Sequence, residues 1–240
     1  MRIALVGYGK MGRHIESLAL EAGHEITARI TSENSEKIKQ LADTDVAVEF
    51  TAPEAAVGNF AALFERGIPV VTGTTGWYDR FDEVRAGALK AGVPFFYATN
   101  FSVGVHIALA ANAYLAKLTE KNADYACSLE EWHHTAKRDA PSGTAITFAE
   151  RIIENNSRYK QWTLTDSPGD ADAGILPVRA YRENDIPGTH RVTYGSAIDE
   201  ITLEHKAHNR DGFAGGALRA ALWLADRKPG IYTMTDLLDL

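Results

Sequence analysis

Arg2-Ile3-Ala4-Leu5-Val6-Gly7-Tyr8-Gly9-Lys10-Met11-Gly12 is the stretch that decides the fold. Arg2–Val6 is a short β-rich apolar run and reads as a buried strand, broken at Gly7. A helical pattern follows over Arg13–Glu21, with Ile15, Leu18 and Ala19 on one face and Gly23 as its stop. A G-x-G-x-x-G spacing that leaves a strand and opens a helix is the context in which a weak pattern becomes informative. Gly7 allows a tight turn, Gly9 lets backbone approach a pyrophosphate, and Gly12 lets helix and strand pack closely. The helix-start N–H groups then face an anion. A plain glycine-rich turn is the alternative; strand, loop, helix and position together favour a dinucleotide loop made by Gly7, Tyr8, Gly9, Lys10, Met11 and Gly12.

Outward from this loop, strands are expected at Glu25–Thr31, Val46–Phe50, Pro69–Thr72 and Pro94–Ala98. Helices are expected around Ser35–Leu41, Glu54–Arg66 and Phe81–Lys90. Such alternation predicts a parallel sheet covered by helices on both faces. Ligands of such sheets bind beyond the carboxyl ends of the strands. After about Phe101 the character changes. A long helix over Val105–Thr119 precedes strand-like runs at Ala123–Glu131, Ile175–Arg182, His190–Ser196 and Glu200–Lys206. A helix intervenes at Ala145–Ile153, and Asn184, Pro187 and Gly188 supply turn chemistry. The fold class is therefore α/β, a Rossmann-type parallel sheet plus a second α+β domain with a mostly antiparallel sheet. A last helix at Ala214–Asp226 and the apolar tail Ile231–Leu240 close the chain.

Composition bounds the function. The chain has 240 residues, 45% hydrophobic and 24% charged, with a net charge of −7, ordinary for a globular protein. An acidic balance argues against nucleic acid. No run of about eighteen apolar residues spans a membrane, and the N-terminal apolar run is too short for a signal peptide. The single cysteine, Cys127, fits a reducing cytoplasm and reads as a packed residue.

Cofactor choice is less direct. An acidic residue about twenty positions past the glycine loop would hold a ribose hydroxyl, yet the region reads Arg29-Ile30-Thr31-Ser32-Glu33. Thr31 and Ser32, helped by Arg29 or a nearby lysine, could accept a 2′-phosphate, or could leave the pocket indifferent. The reading is NADPH, or use of either NADPH or NADH. Two further strand-end loops, Gly73-Thr74-Thr75-Gly76 and Ala98-Thr99-Asn100-Phe101, offer small and hydroxyl-bearing residues for a nicotinamide or ribose. Ordinary turn chemistry is the alternative.

The most informative chemistry lies in Glu131-Trp132-His133-His134-Thr135-Ala136-Lys137-Arg138-Asp139-Ala140-Pro141-Ser142-Gly143-Thr144-Ala145. Two histidines, a lysine and an arginine crowd one strand end, which is costly unless an anionic substrate arrives. Desolvation and repulsion would lower the Lys137 and histidine pKa values toward proton-transfer duty. Ser142, Gly143 and Thr144 then start a helix, a second anion site suited to a carboxylate. A metal site, a solvated loop or a simple N-cap are the competing readings. No cysteine or third ligand sits at zinc-like spacing, and the convergence of features favours the catalytic one.

This string resembles the signature of the 4-hydroxy-tetrahydrodipicolinate reductase (dihydrodipicolinate reductase) family, with its His-His-x-x-Lys-x-Asp-Ala-Pro-Ser-Gly-Thr-Ala core. The likeness extends to Gly7–Gly12, Phe50-Thr51-Ala52-Pro53-Glu54, Gly73–Gly76, Ala98–Val105 and the end from Glu204 to Leu240, nearly the whole chain. It implies NAD(P)H-dependent reduction of a cyclic imine dicarboxylate at C4 with loss of water, in the diaminopimelate route to L-lysine. It also implies His133 and Lys137 as the proton-handling pair, with His134 on the substrate and Gly143 and Thr144, beside Ser142, on a carboxylate. The cofactor residues would be the Gly7–Gly12 loop, Gly73, Thr74, Thr75, Ala98, Thr99, Asn100 and Phe101. Residues 1–103 with 215–240 would bind the dinucleotide. Residues 104–214 would bind the substrate and build a homotetramer.

The chain departs from the family pattern in places. The Ile30–Val46 segment is short, and Thr31-Ser32 replaces an acidic residue. Lys10 directly follows Gly9, Trp132 precedes the histidines, and Thr135-Ala136 lack bulky basic side chains. Two other functions share parts of this pattern. Another amino-acid-pathway dehydrogenase needs no His-His-x-x-Lys beside Ser-Gly-Thr, and a non-catalytic dinucleotide sensor has no use for Lys137.

Overall fold

A computed structural model describes residues 1–166, 172–183, 185–209 and 211–240; Asn184, expected in a turn, lies outside them. The chain runs β1 (Arg2–Val6), α1 (Lys10–Glu21), β2 (Glu25–Ile30), β3 (Val46–Glu49), α2 (Pro53–Glu65), β4 (Val70–Thr72), α3 (Phe81–Ala91) and β5 (Pro94–Tyr97). It continues as α4 (Val103–Glu120), β6 (Ala126–His133), α5 (Gly143–Asn155), β7 (Gln161–Leu164), β8 (Ile175–Arg182), β9 (Thr189–Gly195) and β10 (Glu200–Lys206). It ends with α6 (Asp211–Leu224), β11 (Gly230–Tyr232) and α7 (Met234–Leu238). The segment expected as a helix between β2 and β3 is a short 3₁₀ turn, Ser35–Gln40. The contacts divide the chain into two units, Met1–Val103 with Asp211–Leu240, and Gly104–Arg210.

The first unit holds a six-stranded sheet in the order β11-β5-β4-β3-β1-β2, parallel throughout. Its inner strands are buried on both faces, which is why they read as unbroken apolar runs. Successive side chains point to opposite faces. Ile3, Leu5, Val46 and Val48 join a core with Ile15 and Ala19 of α1 and Ala214, Ala217, Ala221 and Leu224 of α6. Ala4, Val6, Ala47, Val70 and Phe95 pack with Phe60, Leu63 and Phe64 of α2 and Val84 and Ala88 of α3. Gly92, in the left-handed region at φ +68, ends α3.

The second unit holds a five-stranded sheet, β10-β9-β6-β8-β7. β10, β9 and β6 pair antiparallel, while β6, β8 and β7 pair parallel. One face packs against α4 and α5: Leu129, Val178, Val192 and Tyr194 meet Leu109, Ala116, Phe148 and Ile152. The buried set along β6 is Cys127, Leu129, Glu131 and His133. The strand therefore carries apolar core at its start and ionisable groups at its carboxyl end, on the same face.

Among the described residues, no helix is long and apolar enough to cross a membrane.

Candidate active site

In the first unit the glycine loop is built as its spacing requires. Gly7 has φ +96, and a Cβ there would overlap the Phe50 carbonyl; a Cβ on Gly12 would overlap the Gly7 carbonyl. Gly9 is different. It is the N-cap of α1, with no side-chain cap, and a Cβ there would meet nothing within 4 Å. Gly7 and Gly12 are demanded by the fold, whereas Gly9 opens onto space. A cavity of about 390 Å³ adjoins it, bounded by Gly7, Tyr8 and Gly9, by Thr31, Ser32 and Ser35, and by Thr51, Ala52, Ala55 and Asn59. The early N–H groups of α1 have no helical acceptor of their own, so the loop fits the pyrophosphate of a dinucleotide. A larger space of about 530 Å³ lies between α2 and α3, lined by Val57, Phe60, Phe64 and Val84 with none of the loop residues. Pocket size and loop chemistry disagree here, and the loop's backbone donors decide for the smaller cavity.

Several expected cofactor residues have different surroundings. The Phe101 ring is 2% exposed, packed against Phe50 and Phe96, so only its backbone is left for a ligand. Thr74 is buried. Its hydroxyl accepts from the Thr51 N–H at 2.8 Å and its carbonyl accepts from the Trp77 indole at 2.8 Å; it staples the loop. The Asn100 side chain accepts from the Ser102 N–H at 2.8 Å. Ala98 is buried, and Thr75 and Thr99 are exposed. Lys10 and Met11 lie in the first turn of α1. Arg29, offered as a phosphate partner, is already engaged: it pairs with Glu16, which also accepts from the Tyr8 hydroxyl, and its guanidinium lies 5.9 Å from the Tyr8 ring centroid. Sequence reasoning gave no role to Thr51, Ala52, Ser35 or Asn59, which line the cavity. It also gave none to Glu49, which is fully buried at the end of β3 and accepts from the Thr72 hydroxyl at 2.6 Å.

In the second unit the chemistry gathers around Glu131. Its carboxylate is fully buried. Oε1 accepts from the Ser142 N–H at 2.9 Å and from the Arg182 guanidinium at 3.0 Å. Oε2 lies 3.3 Å from His133 Nδ1 and 3.7 Å from His190 Nε2. Burial opposes ionisation of Glu131, but facing His133 and accepting from Ser142 and Arg182 outweigh it and hold the pKa down to about 2. Burial, and then the neighbouring His133, lower the His190 pKa to about 3, so that ring is neutral at pH 7. His133 is 8% exposed. Lys137 Nζ lies 2.8 and 2.9 Å from the Asp139 carboxylate oxygens, and this pairing holds the Asp139 carboxyl below its ordinary value.

The expected crowding of uncompensated cations is thus corrected. Lys137 meets Asp139 and Arg182 meets Glu131, so the folded chain already interleaves two carboxylates among its bases. Ser142, expected on the substrate, is 2% exposed. Its hydroxyl accepts from the Ala145 N–H at 3.1 Å as the α5 N-cap and lies 3.2 Å from His190 Nε2. Its bonds are internal, so the cap reading holds for Ser142, while exposed Gly143 and half-buried Thr144 stand at the positive end of α5. His134 is half-buried beside them. Arg182 and His190 were missed because they come from β8 and β9, far along the chain. The Glu131-x-His133 alternation on one strand face was a signal available to find Glu131.

A parallel α/β unit with a dinucleotide-type glycine loop, and an α+β unit bearing a buried carboxylate–imidazole cluster beside a lysine, define a two-unit oxidoreductase. Residues 1–101 match the family described as dihydrodipicolinate reductase, N-terminus, and residues 104–238 the corresponding C-terminus. The chain belongs to the dihydrodipicolinate reductase family. It is 44% identical over 238 residues to the 4-hydroxy-tetrahydrodipicolinate reductase of Christiangramia forsetii, covering 99% of this chain and 98% of that one. It is 34% identical over 265 residues to the enzyme of the same name from Archaeoglobus fulgidus, with both chains fully covered. In fold it is similar to a dipicolinate-bound dihydrodipicolinate reductase from Paenisporosarcina sp. TG-14, with a TM-score of 0.80 at 19% identity and 98% of each chain covered. The amine dehydrogenase of Mycobacterium smegmatis resembles it less, with a TM-score of 0.60 at 10% identity, covering 96% of this chain and 94% of that one.

Proposed function

We propose that this chain reduces 4-hydroxy-tetrahydrodipicolinate to tetrahydrodipicolinate, with loss of water, in the diaminopimelate route to L-lysine. The observation that carries the reading is the buried Glu131–His133 pair beside Lys137 and the α5 N-terminus, on a chain whose family shares that activity. Gly7, Gly9 and the first turn of α1 would hold the cofactor pyrophosphate, with Thr31 and Ser32 at the ribose and the 73–75 and 98–101 loops toward the nicotinamide. Bound there, a nicotinamide dinucleotide supplies the hydride. NADPH is the preferred donor, since no carboxylate stands at Thr31-Ser32 to repel a 2′-phosphate, and NADH is a second donor.

On the protein's side, Gly143, Thr144 and His134 hold the dicarboxylate through the positive end of α5. His133 and Lys137 handle the proton that the electron-rich ring takes up after reduction. The unit formed by 104–210 binds the substrate and builds a homotetramer through its sheet. The half-exposed Trp132–Tyr181 stack, ring centroids 4.9 Å apart, supports a contact surface there. A cytoplasmic location accords with the lone buried thiol of Cys127.

The test is oxidation of NADPH and NADH, side by side at 340 nm, with the imine made freshly from pyruvate and aspartate semialdehyde by a coupled synthase. Rapid oxidation that depends on the synthase product is expected. No oxidation by a folded protein that still binds cofactor would move the assignment to a dehydrogenase for a linear substrate.

A further inference from the structure

We infer that Glu131 is a positioning residue that fixes the proton-handling imidazole of His133 and the carboxylate-binding turn at Ser142–Thr144 in one rigid frame. The inference rests on the proposed role of His133 and deepens it.

The geometry is one carboxylate serving two clients. One oxygen, Oε1, is filled by the Ser142 N–H at 2.9 Å and by Arg182 at 3.0 Å. Ser142 is the N-cap of α5, so this bond fixes where Gly143 and Thr144 stand. The other oxygen, Oε2, has no regular hydrogen-bond partner, nor has His133 Nδ1; the two face each other at 3.3 Å. Buried polar atoms are rarely left without a partner, and a proton between these two satisfies both. That proton sets the tautomer. With Nδ1–H turned to Glu131, Nε2 is the nitrogen free for chemistry. Gly188 flanks this nitrogen: a Cβ there would lie 3.1 Å from Nε2, so glycine keeps that edge of the ring clear.

The groups facing His133 come from every neighbouring element. Glu131 shares its strand, and Arg182 of β8 reaches it through the same carboxylate. His190 of β9 stands edge-on, ring centroids 5.2 Å apart. Lys137 follows in the loop, and His205 of β10 lies behind His190, ring centroids 6.5 Å apart. His190 is held neutral by burial, so it adds no second cation against His133. Arg182 also donates to the Asp139 carbonyl at 2.6 Å, tying the Lys137–Asp139 loop to the same anchor. Orienting partners behind a working imidazole fix its tautomer and ring position in this way.

The test uses the full chain with Glu131→Gln, Glu131→Asp and His133→Ala, each checked for an intact melting transition and unaltered NADPH binding. Glu131→Gln is expected to lower kcat about a hundredfold. It should also move the basic limb of the kcat/KM profile at least one pH unit lower, because a protonated imidazole loses its counter-charge. KM for the imine should rise with it, since the Ser142 anchor is weakened. Glu131→Asp, which keeps the charge, should recover part of the rate and return the limb toward its wild-type position. A Glu131→Gln profile that overlays wild type, with Glu131→Asp no better, would reduce Glu131 to a structural residue and overturn the proposal. Should Glu131→Gln fail to fold, Glu131→Asp decides: a lowered kcat with the limb displaced toward lower pH supports the frame, and a kcat and limb both unchanged from wild type refute it. Full activity in His133→Ala would instead sink the underlying assignment, a separate outcome. Chelator treatment of the wild type is expected to change nothing. Activity lost to chelator and restored by zinc would make Glu131, His133 and His190, whose ligand-type atoms lie within 4.8 Å of one another, a metal site, and would overturn the proposal as well.

Discussion

The glycine cradle of the first unit and the histidine cluster of the second are built by opposite means. In the cradle, side chains are withheld: Gly7 and Gly12 let backbone touch backbone, and Gly9 leaves space for a ligand. In the cluster, side chains are packed in: a buried carboxylate and two buried imidazoles meet a half-buried guanidinium on β6, β8 and β9. A cradle made by omission would suit a phosphate backbone that many cofactors share. A cluster made by ionisable groups would suit one proton transfer. The contrast teaches that adding atoms should break the first site and removing atoms should break the second.

Gly7→Ala should have the largest effect. Its Cβ would overlap the Phe50 carbonyl at a φ of +96, so the cost falls on the fold itself, at about 3 kcal/mol or more, read as a large drop in melting temperature. If Lys137 handles the proton as proposed, Lys137→Ala should cut turnover about a hundredfold while leaving NADPH affinity nearly unchanged; full activity would remove Lys137 from the chemistry. Gly9→Val adds a Cβ that meets no neighbour, so stability should fall only by the cost of a poorer N-cap, about 1 kcal/mol, while NADPH affinity falls at least about tenfold. Unchanged affinity in calorimetric titration would refute the cradle reading.

The two regions should also part company in acid. His190 has a folded pKa lowered to about 3 from an ordinary 6.5. Between those values the unfolded chain binds more protons, so stability is full above 6.5 and is lost as pH falls toward 3. Glu131, held at about 2 against an ordinary 4.5, adds a second loss that begins near pH 4.5 and continues toward 2. Melting temperature should therefore start to fall near pH 6.5, and His190→Gln should shrink that first phase to the share that burial of His205 contributes while keeping the second. The smallest effect is expected at the ribose. Ser32→Asp places a like charge beside a 2′-phosphate and should shift the NADPH to NADH rate ratio by about tenfold toward NADH.

Much of this was readable in the chain because burial leaves a pattern. β1 and β3 carry continuous apolar runs over Ile3–Val6 and Val46–Val48, and Gly7–Gly12 follows a strand and opens a helix. What escaped lacked a pattern. β7 is four residues with exposed ends, and β11 is three half-buried residues, so neither alternates or runs apolar. α6 starts at Asp211 rather than at Ala214, since Gly212, Gly215 and Gly216 weaken the helical signal. Gly216 is nonetheless required, because a Cβ there would overlap the Phe101 carbonyl. β6 runs on to His133 instead of stopping at Glu131, and that extension puts the two groups on one face. Arg182, 51 residues from Glu131, reaches it only through the pairing of β6 with β8, which no local spacing encodes.

The return of α6, β11 and α7 to the first unit has a consequence for synthesis. The 104–210 segment is continuous and can collapse as soon as it leaves the ribosome. The unit that starts the chain must wait for residues 211–240 to deliver an edge strand and the apolar face of α6. Until then Phe96 and Val71 lack that cover. The part translated first is thus finished last, and a nascent chain arrested near residue 210 carries a complete insert on an incomplete host.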